Sequence, residues 1–271
     1  MRRRATVGAG SAAAVALMAG VGCADAPPGT GERREAPEAP TGLSIRSDSA
    51  LLARSRQHVL VIVDGPRAVK GRLVRMEGGG GAWAAAGAPV PVVVGRGGVG
   101  PKREGDGRSP GGVYPIGGAF GYGAEAPGGL TIPYRALSPG TVCVDDPGSA
   151  FYNRMVDPDT LSPPPDWESA EPMRRDLSHG DDLYRWGVEI GYNPEGEAGA
   201  GSCIFFHVWR GPDSPTVGCT AMDAADLLAL ARWLDPRAEP AVVQGTREEL
   251  EELRGRGVLP YPLPGAGETP R

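Results

Sequence analysis

The segment of residues 203–222 reads CIFFHVWRGPDSPTVGCTAM and bears on both the fold and the chemistry of this chain. An apolar run ends at His207, a turn rich in glycine and proline follows, and Cys219 stands just before a helix-like stretch. The apolar run indicates a rigid strand, and the turn predicts that the chain folds back on it. A nearby base and a helix start both favour a reactive thiolate. The segment therefore predicts that Cys219 and His207 lie together.

Residue alternation along the predicted strand 202–209 places His207 on the same face as Cys203. Thr216, Gly218 and Cys219 then fall in a tight turn. Because a glycine permits close backbone approach, we expect the amides near Cys219 to form an oxyanion hole. The histidine would act as the base, since imidazole is the side chain most often used for proton transfer.

Short β-prone runs separated by turn signals recur on both sides of this segment, which predicts a loop-rich, mainly β domain. Two helices are expected at 223–234 and 246–254, with Asp223 and Thr246 as N-caps. The polar, proline-rich stretch 138–179 reads as a long excursion, and such excursions are often functional. The predicted strands are 59–63, 69–76, 90–94, 113–116, 183–192, 202–209 and 241–244.

The N-terminus has the pattern of an export signal. Three arginines are followed by a small, apolar and uncharged run at 5–21, which is short for a membrane span. Gly20-Val21-Gly22-Cys23 resembles a bacterial lipobox, although Gly20 replaces the usual leucine. We therefore expect residues 1–23 to be a lipoprotein signal with lipidation at Cys23. Cleavage after residues 24–26 is the alternative, and either route predicts an exported, cell-envelope protein, anchored to the membrane by lipid in the first case.

The remaining chain divides by composition into three parts. Residues 24–50 are rich in proline, glycine and glutamate and read as a flexible tether. A single catalytic domain is predicted over 51–245, followed by a charged helix and tail over 246–271.

Three further cysteines remain once Cys23 is set aside, namely Cys143, Cys203 and Cys219. An odd number of cysteines in an exported protein indicates a free, reactive thiol. We expect Cys219 to stay free, while Cys143 and Cys203 either pair with each other or remain as two buried thiols.

The sequence argues against several other site classes. The glycine pattern at 95–100 is followed by Pro101 and polar residues rather than by a helix, so it predicts neither a dinucleotide site nor a P-loop. The histidines and cysteines lack zinc-ligand spacing, although 178–181 faintly resembles a zinc peptidase motif. A formal net charge of −5 and the lack of a long basic tract argue against a nucleic-acid partner.

Two ordered motifs support a family resemblance. The segment 203–222 resembles the catalytic motif of the L,D-transpeptidases (the YkuD-type domain), with His207, Thr216, Gly218 and Cys219 at the matching positions. The segment 102–116, KREGDGRSPGGVYPI, resembles the motif that opens the same domain. The resemblance covers residues 59–244 and is greatest to a divergent branch that carries CVDDP, here at 143–147, and HVWRGP, here at 207–212.

The resemblance implies a mainly β domain, built as a twisted mixed sheet or sandwich with one helix packed after the catalytic cysteine. It implies acyl transfer on peptidoglycan stem peptides, in which Cys219 is the nucleophile and His207 the base. A backbone carbonyl would orient the histidine, and neither a metal nor an organic cofactor is needed. L,D-carboxypeptidase hydrolysis at the same site, a non-catalytic cell-wall-binding domain and a zinc peptidase remain as alternatives.

Two positions depart from the family pattern. Val217 stands where the motif has a histidine, and Ala221 stands where it has an arginine. Because a buried substrate carboxylate needs a charged or strongly donating partner, we expect Arg210 to take over that role. A solvated surface arginine is the alternative interpretation of Arg210.

Overall fold

The structure is a computed structural model that describes residues 48–79, 81–162 and 166–265. The predicted signal segment 1–23 with Cys23, most of the predicted tether, and the end of the predicted tail lie outside the described residues. Within the described ranges, no helix has the length and apolar character that crossing a membrane requires.

The part of the chain that the structure describes forms fifteen strands and four α-helices. The helices are α1 (Ser49–Arg54), α2 (Arg175–Ser178), α3 (Ala224–Trp233) and α4 (Arg247–Gly255). The strands are β1 (Gln57–Val63), β2 (Lys70–Gly79), β3 (Ala82–Ala85), β4 (Val90–Val93), β5 (Val99–Gly100), β6 (Ser109–Pro110), β7 (Gly112–Gly121), β8 (Tyr134–Ala136), β9 (Val142–Val144), β10 (Met155–Val156), β11 (Ala170–Pro172), β12 (Trp186–Ile190), β13 (Phe205–Val208), β14 (Thr220–Met222) and β15 (Ala241–Thr246).

One large mixed sheet organises the domain. Its strand order is β1-β15-β7-β12-β13-β14-β4-β2-β3, with β8 beside β7. Strand β1 also pairs with β2, so the path of the sheet returns to its first strand. The pairings β1–β15 and β13–β14 are parallel, whereas β12–β13 and β2–β4 are antiparallel. The mainly β, mixed-sheet architecture expected from the sequence is confirmed.

Burial on both faces explains why β1 is a continuous apolar run. Val59 and Val61 face a core that includes Leu227 and Leu230 of α3, whereas Leu60 packs in a second core with residues of α1 and α4. A strand that is covered on both sides gains from apolar residues at every position rather than at alternate ones. The helix α3 lies against β12 and β13, and α4 lies against β15 and β1, so the two helices cover opposite faces of the large sheet.

The predicted helix starts are correct. The Asp223 side chain accepts a hydrogen bond from the Ala225 amide at the start of α3. Thr246 and Glu249 form a capping box at the start of α4, in which each side chain accepts a hydrogen bond from the backbone amide of the other residue. The helix α1 was not predicted, and it includes Ser49 and Ala50, the last two residues of the range read as a tether.

The expectation that a helix follows Cys219 directly is wrong. The strand β14 comes next, and α3 begins only at Ala224. Pairing of Thr220 with Phe206 and of Ala221 with His207 extends the sheet through this segment. The cysteine therefore lies at the start of a strand and away from the first turn of the helix, where a helix dipole would act on it.

The excursion 138–179 forms a small sheet of its own. It contains β9, β10 and β11 in the order β10-β9-β11, followed by α2. Its residues Pro163–Pro165 lie outside the described part of the chain. A disulfide between Cys143 in β9 and Cys203 attaches this small sheet to the segment that precedes β13.

Candidate active site

The turn before Cys219 is held by two side-chain hydroxyls. Thr216 Oγ1 donates to the Cys219 carbonyl oxygen at 2.6 Å and accepts a hydrogen bond from the Gly218 amide at 3.1 Å. Ser109 Oγ, from the upstream motif, donates to the same Cys219 carbonyl at 2.9 Å and accepts from the Gly95 amide. Both quoted sequence motifs therefore meet at the backbone of Cys219.

The thiol of Cys219 is buried and makes two polar contacts with the chain. The Phe205 amide donates to Sγ at 3.3 Å, and the thiol lies 3.3 Å from the Cys203 carbonyl oxygen, to which it donates. Burial, and then the charge of Glu171, raise the pKa of Cys219 to about 12. The thiol is thus protonated at neutral pH, and its proton must be removed before the sulfur can attack.

The imidazole of His207 is oriented by a backbone carbonyl. Its Nδ1 lies 2.8 Å from the Val208 carbonyl oxygen. Because a carbonyl only accepts, Nδ1 carries the proton and Nε2 is left as an acceptor. Burial lowers the pKa of His207 to about 4, so the ring is neutral at neutral pH and can accept a proton. The ring of Tyr184 packs edge-on against it, with centroids 5.3 Å apart.

Cys219 and His207 border one small cavity, which we call the thiol cavity. It measures about 100 Å³. Its lining residues are Lys102, Glu104, Asp145, Glu171, Tyr184, Ser202, Cys203, Ile204, His207, Thr216, Val217, Gly218 and Cys219. The predicted partners Cys219, His207, Thr216 and Gly218 are therefore brought together.

A second cavity, of about 250 Å³, borders the other side of His207, and we call it the arginine cavity. Arg175, Arg210 and Ala221 are among its lining residues. Ala221 is fully buried and pairs with His207 across β13 and β14. The family arginine would therefore project from a strand that lines this cavity, and two arginines from elsewhere in the chain line it here.

Arg210 lines the arginine cavity, but its charge is already paired. Its guanidinium lies 3.0 Å from Asp181, and its side chain is 60% exposed. Arg175 makes two hydrogen bonds to the same carboxylate, at 2.8 and 2.7 Å, and its side chain is only 12% exposed. The less exposed of the two guanidinium groups in this cavity is thus that of Arg175.

A buried polar chain links the arginines to the histidine. Tyr184 donates to Glu171 at 2.7 Å, and Glu171 lies 3.6 Å from Arg175. Burial raises the pKa of Glu171, and it also raises the pKa of Tyr184 well above its usual value. Glu171 and Tyr184 line both cavities, next to His207.

The disulfide involves Cys203, whose backbone contacts the Cys219 thiol. Cys143 and Cys203 are paired, and Cys219 is free and buried. Cys203 has a left-handed backbone, with φ of 56°, and its amide is held by Asn153 Oδ1 at 2.8 Å. The same residue presents the carbonyl that accepts the Cys219 thiol hydrogen. A strained backbone at such a point is typical of functional sites.

Sequence reasoning missed Glu171, Arg175, Tyr184, Lys102 and Ser109. Two signals pointed towards some of them. The excursion 138–179, which supplies Glu171 and Arg175, was recognised only as a segment of functional interest. The motif 102–116 contains Lys102 and Ser109, but nothing local in that motif indicates that it packs against Cys219.

Comparison with protein-family models finds a match that contains both sequence motifs. Residues 58–243 match the family model YkuD, described as the L,D-transpeptidase catalytic domain. Comparison with curated proteins and with solved structures finds no match in either set. Among the described residues, no group of three or more histidine, cysteine, aspartate or glutamate side chains is placed to hold a metal ion.

Proposed function

Because the chain belongs to the L,D-transpeptidase catalytic domain family, we propose that it transfers acyl groups between peptidoglycan stem peptides through a thioester on Cys219. The observation that carries the proposal is the arrangement of the two reactive side chains. Cys219 Sγ and the His207 ring border the same cavity, and the Val208 carbonyl leaves His207 Nε2 as the proton acceptor. Such a pair of nucleophile and oriented base is the requirement for covalent acyl transfer.

The first half of the reaction forms the acyl-enzyme. His207 Nε2 takes the thiol proton, and the sulfur attacks the carbonyl carbon between an L-configured centre and a D-residue. The carbon–nitrogen bond then breaks, and the proton on His207 moves to the departing amine. The products of this step are a thioester on Cys219 and a free D-amino acid.

The second half releases the acyl group. An amine of another stem peptide attacks the thioester carbon and gives its extra proton to His207. The carbon–sulfur bond breaks, and the proton returns to the sulfur, which restores the thiol. Water in place of the amine would make the same site an L,D-carboxypeptidase, and the products distinguish the two reactions.

Substrate holding is assigned to the arginine cavity. Stem peptides carry carboxylates, and Arg175 and Arg210 together offer donors that suit a carboxylate. The two guanidinium groups already share Asp181, which keeps them close together on one wall of the cavity. In this proposal the two arginines supply the positive charge that an arginine at position 221 would supply.

Incubation of the protein with purified stem peptides, followed by mass spectrometry, tests the function. We expect a thioester adduct on Cys219 and a cross-linked or trimmed peptide product. Cys219→Ala should keep the fold and lose both signals, and His207→Ala should slow acylation at least about 10²-fold, the usual scale of general base catalysis. Turnover retained by Cys219→Ala would reject the mechanism, and binding without any adduct would favour a non-catalytic cell-wall-binding domain.

We also propose that the protein acts at the cell envelope, anchored by lipid at Cys23. The support is the sequence of residues 1–23, with its arginines, apolar run and small residues before the cysteine. Mass spectrometry of the membrane fraction should find the lipid on Cys23. A soluble mature form that begins at Pro27 would contradict the anchor.

A further inference from the structure

Lys102 is a buried lysine whose ion pair is long. Its side chain is only 3% exposed, and its ion pair with Asp106 is long, at 3.4 Å. Asp106 is meanwhile occupied by the amides of Arg103 and Arg108, at 2.7 and 2.8 Å. A buried ammonium with three donors is costly unless it meets negative charge, so its position calls for a functional explanation.

Two glycines make room for this side chain beside the nucleophile. A Cβ atom on Gly218 would lie 3.0 Å from Lys102 Nζ, and a Cβ on Gly201 would lie 2.8 Å from Lys102 Cε. The ammonium therefore lies against the backbone of the residue that directly precedes Cys219. A larger side chain at either glycine would displace it.

The other charged groups of the thiol cavity are already engaged. Its described lining includes three carboxylates and, apart from His207, one basic side chain, which is Lys102. Glu104 accepts hydrogen bonds from Tyr152 and Ser202, Glu171 accepts from Tyr184, and Asp145 accepts from Ser169. The ammonium of Lys102 thus remains available for a new negative charge.

Several groups that could favour a negative charge at Cys219 are engaged or placed elsewhere. The Gly218 amide, expected to contribute to an oxyanion hole, donates to Thr216 Oγ1 within the turn. The helix α3 begins after β14 and does not start at the cysteine. The arginines line the other cavity and are bound to Asp181. The Phe205 amide donates to the Cys219 sulfur at 3.3 Å, and it carries no net charge. A negative charge on sulfur would therefore gain from a cation in the same cavity, and Lys102 lines it.

We infer that the Lys102 ammonium, together with the Phe205 amide, stabilises the negative charge on Cys219 when the thiol proton leaves. The inference rests on the proposed function, in which Cys219 is the nucleophile. The charge of Lys102 favours the thiolate and opposes the burial that disfavours it. An opposite charge at short range favours the ionised form of an acid, and a cavity that excludes water strengthens the interaction.

The rate of thiol alkylation tests this role directly. Iodoacetamide is neutral, so a lysine does not attract it, and its rate follows the thiolate fraction of Cys219. In a Cys23→Ser background, Lys102→Met should lower that rate at least about tenfold between pH 7 and 9, the scale on which a nearby charge shifts thiolate formation. Acylation by a stem peptide should fall by a similar factor.

Matched variants separate a charge effect from a structural one. Lys70 is the only other lysine in the sequence and is exposed, so Lys70→Met should leave alkylation unchanged. Lys102→Gln removes the charge but can still donate to Asp106, and it serves where the methionine variant does not fold. An alkylation rate equal to wild type at every pH in either folded variant would overturn the inference.

The result also separates this inference from the proposed function. If Cys219→Ala abolishes turnover while Lys102→Met is alkylated at the wild-type rate, the thioester mechanism is supported and the role of Lys102 is rejected. If Cys219→Ala retains turnover, the proposed function falls, and the alkylation profile still reports whether Lys102 stabilises the thiolate.

Discussion

The hydroxyl of Ser109 donates a 2.9 Å hydrogen bond to the carbonyl oxygen of Cys219, and the two residues are 110 positions apart in the sequence. Ser109 is fully buried, and its oxygen also accepts a hydrogen bond from the Gly95 amide. The upstream motif therefore supports Cys219 through its backbone, and this contact is a physical link between the two motifs.

Ser109→Ala should destabilise the protein and slow acylation. The substitution leaves the buried Gly95 amide without its partner, and a buried unpaired donor costs about 1–3 kcal/mol. Urea unfolding and acylation rates measure the two effects. The exposed serine Ser178 provides the control, since Ser178→Ala should change neither. An unchanged free energy of unfolding in Ser109→Ala would show that the turn does not depend on this hydroxyl.

Arg210→Ala should lower kcat/KM on a stem peptide by about 1.5–3 kcal/mol, the scale of a hydrogen bond to a charged group. The loss should shrink on the same peptide with its terminal carboxylate amidated. Arg175→Ala should lower kcat/KM by a larger amount, because Arg175 is the less exposed of the two arginines. The exposed Arg232, on α3, provides the control. Equal losses of kcat/KM on both peptides would show that neither arginine binds the terminal carboxylate.

Removing the disulfide with Cys143→Ala and Cys203→Ala should lower the free energy of unfolding by roughly 2–5 kcal/mol, the usual cost of losing a native disulfide. Acylation should also slow, because Cys203 presents the carbonyl that contacts the Cys219 thiol. Urea unfolding with and without reductant measures the first effect. Thiol counting on the denatured Cys23→Ser protein should find one free thiol before reduction and three after it. A bridge that includes Cys219 would contradict this arrangement.

Folding stability should fall as the pH drops below about 6.5, the ordinary value for histidine. Burial lowers the pKa of His58 to about 4, and its Nδ1 is bonded to the Tyr261 hydroxyl. Between these two values the unfolded chain binds a proton that the folded chain does not, so protonation favours unfolding. His207 adds to the same window, because its pKa is lowered in the same direction.

Urea unfolding at pH 7.5 and 5.5 measures this loss. His58→Gln should reduce the difference between the two pH values, whatever its effect on stability at either one. His179 is exposed, so His179→Gln should leave the difference as in wild type. Equal pH dependence in all three proteins would show that His58 does not cause the loss.

Much of the local structure followed from the sequence because its causes are local. Apolar β-branched runs predicted β1 and the strand that carries His207, and short-range hydrogen bonds from Asp223 and Thr246 fixed the helix starts. The predicted strand lengths were less accurate. Strand β7 runs from Gly112 to Gly121, beyond the four residues expected, because its neighbours β15 and β12 continue the pairing.

The sequence by itself determined the strand, the turn and the reactive pair, since His207 and Cys219 are close along the chain and belong to one motif. Only the tertiary structure decided what surrounds them. Lys102 and Arg175 come from distant segments, and their positions depend on sheet order and on a disulfide across 60 residues. Burial also has its origin in that packing, and burial keeps the thiol protonated and the imidazole neutral at neutral pH.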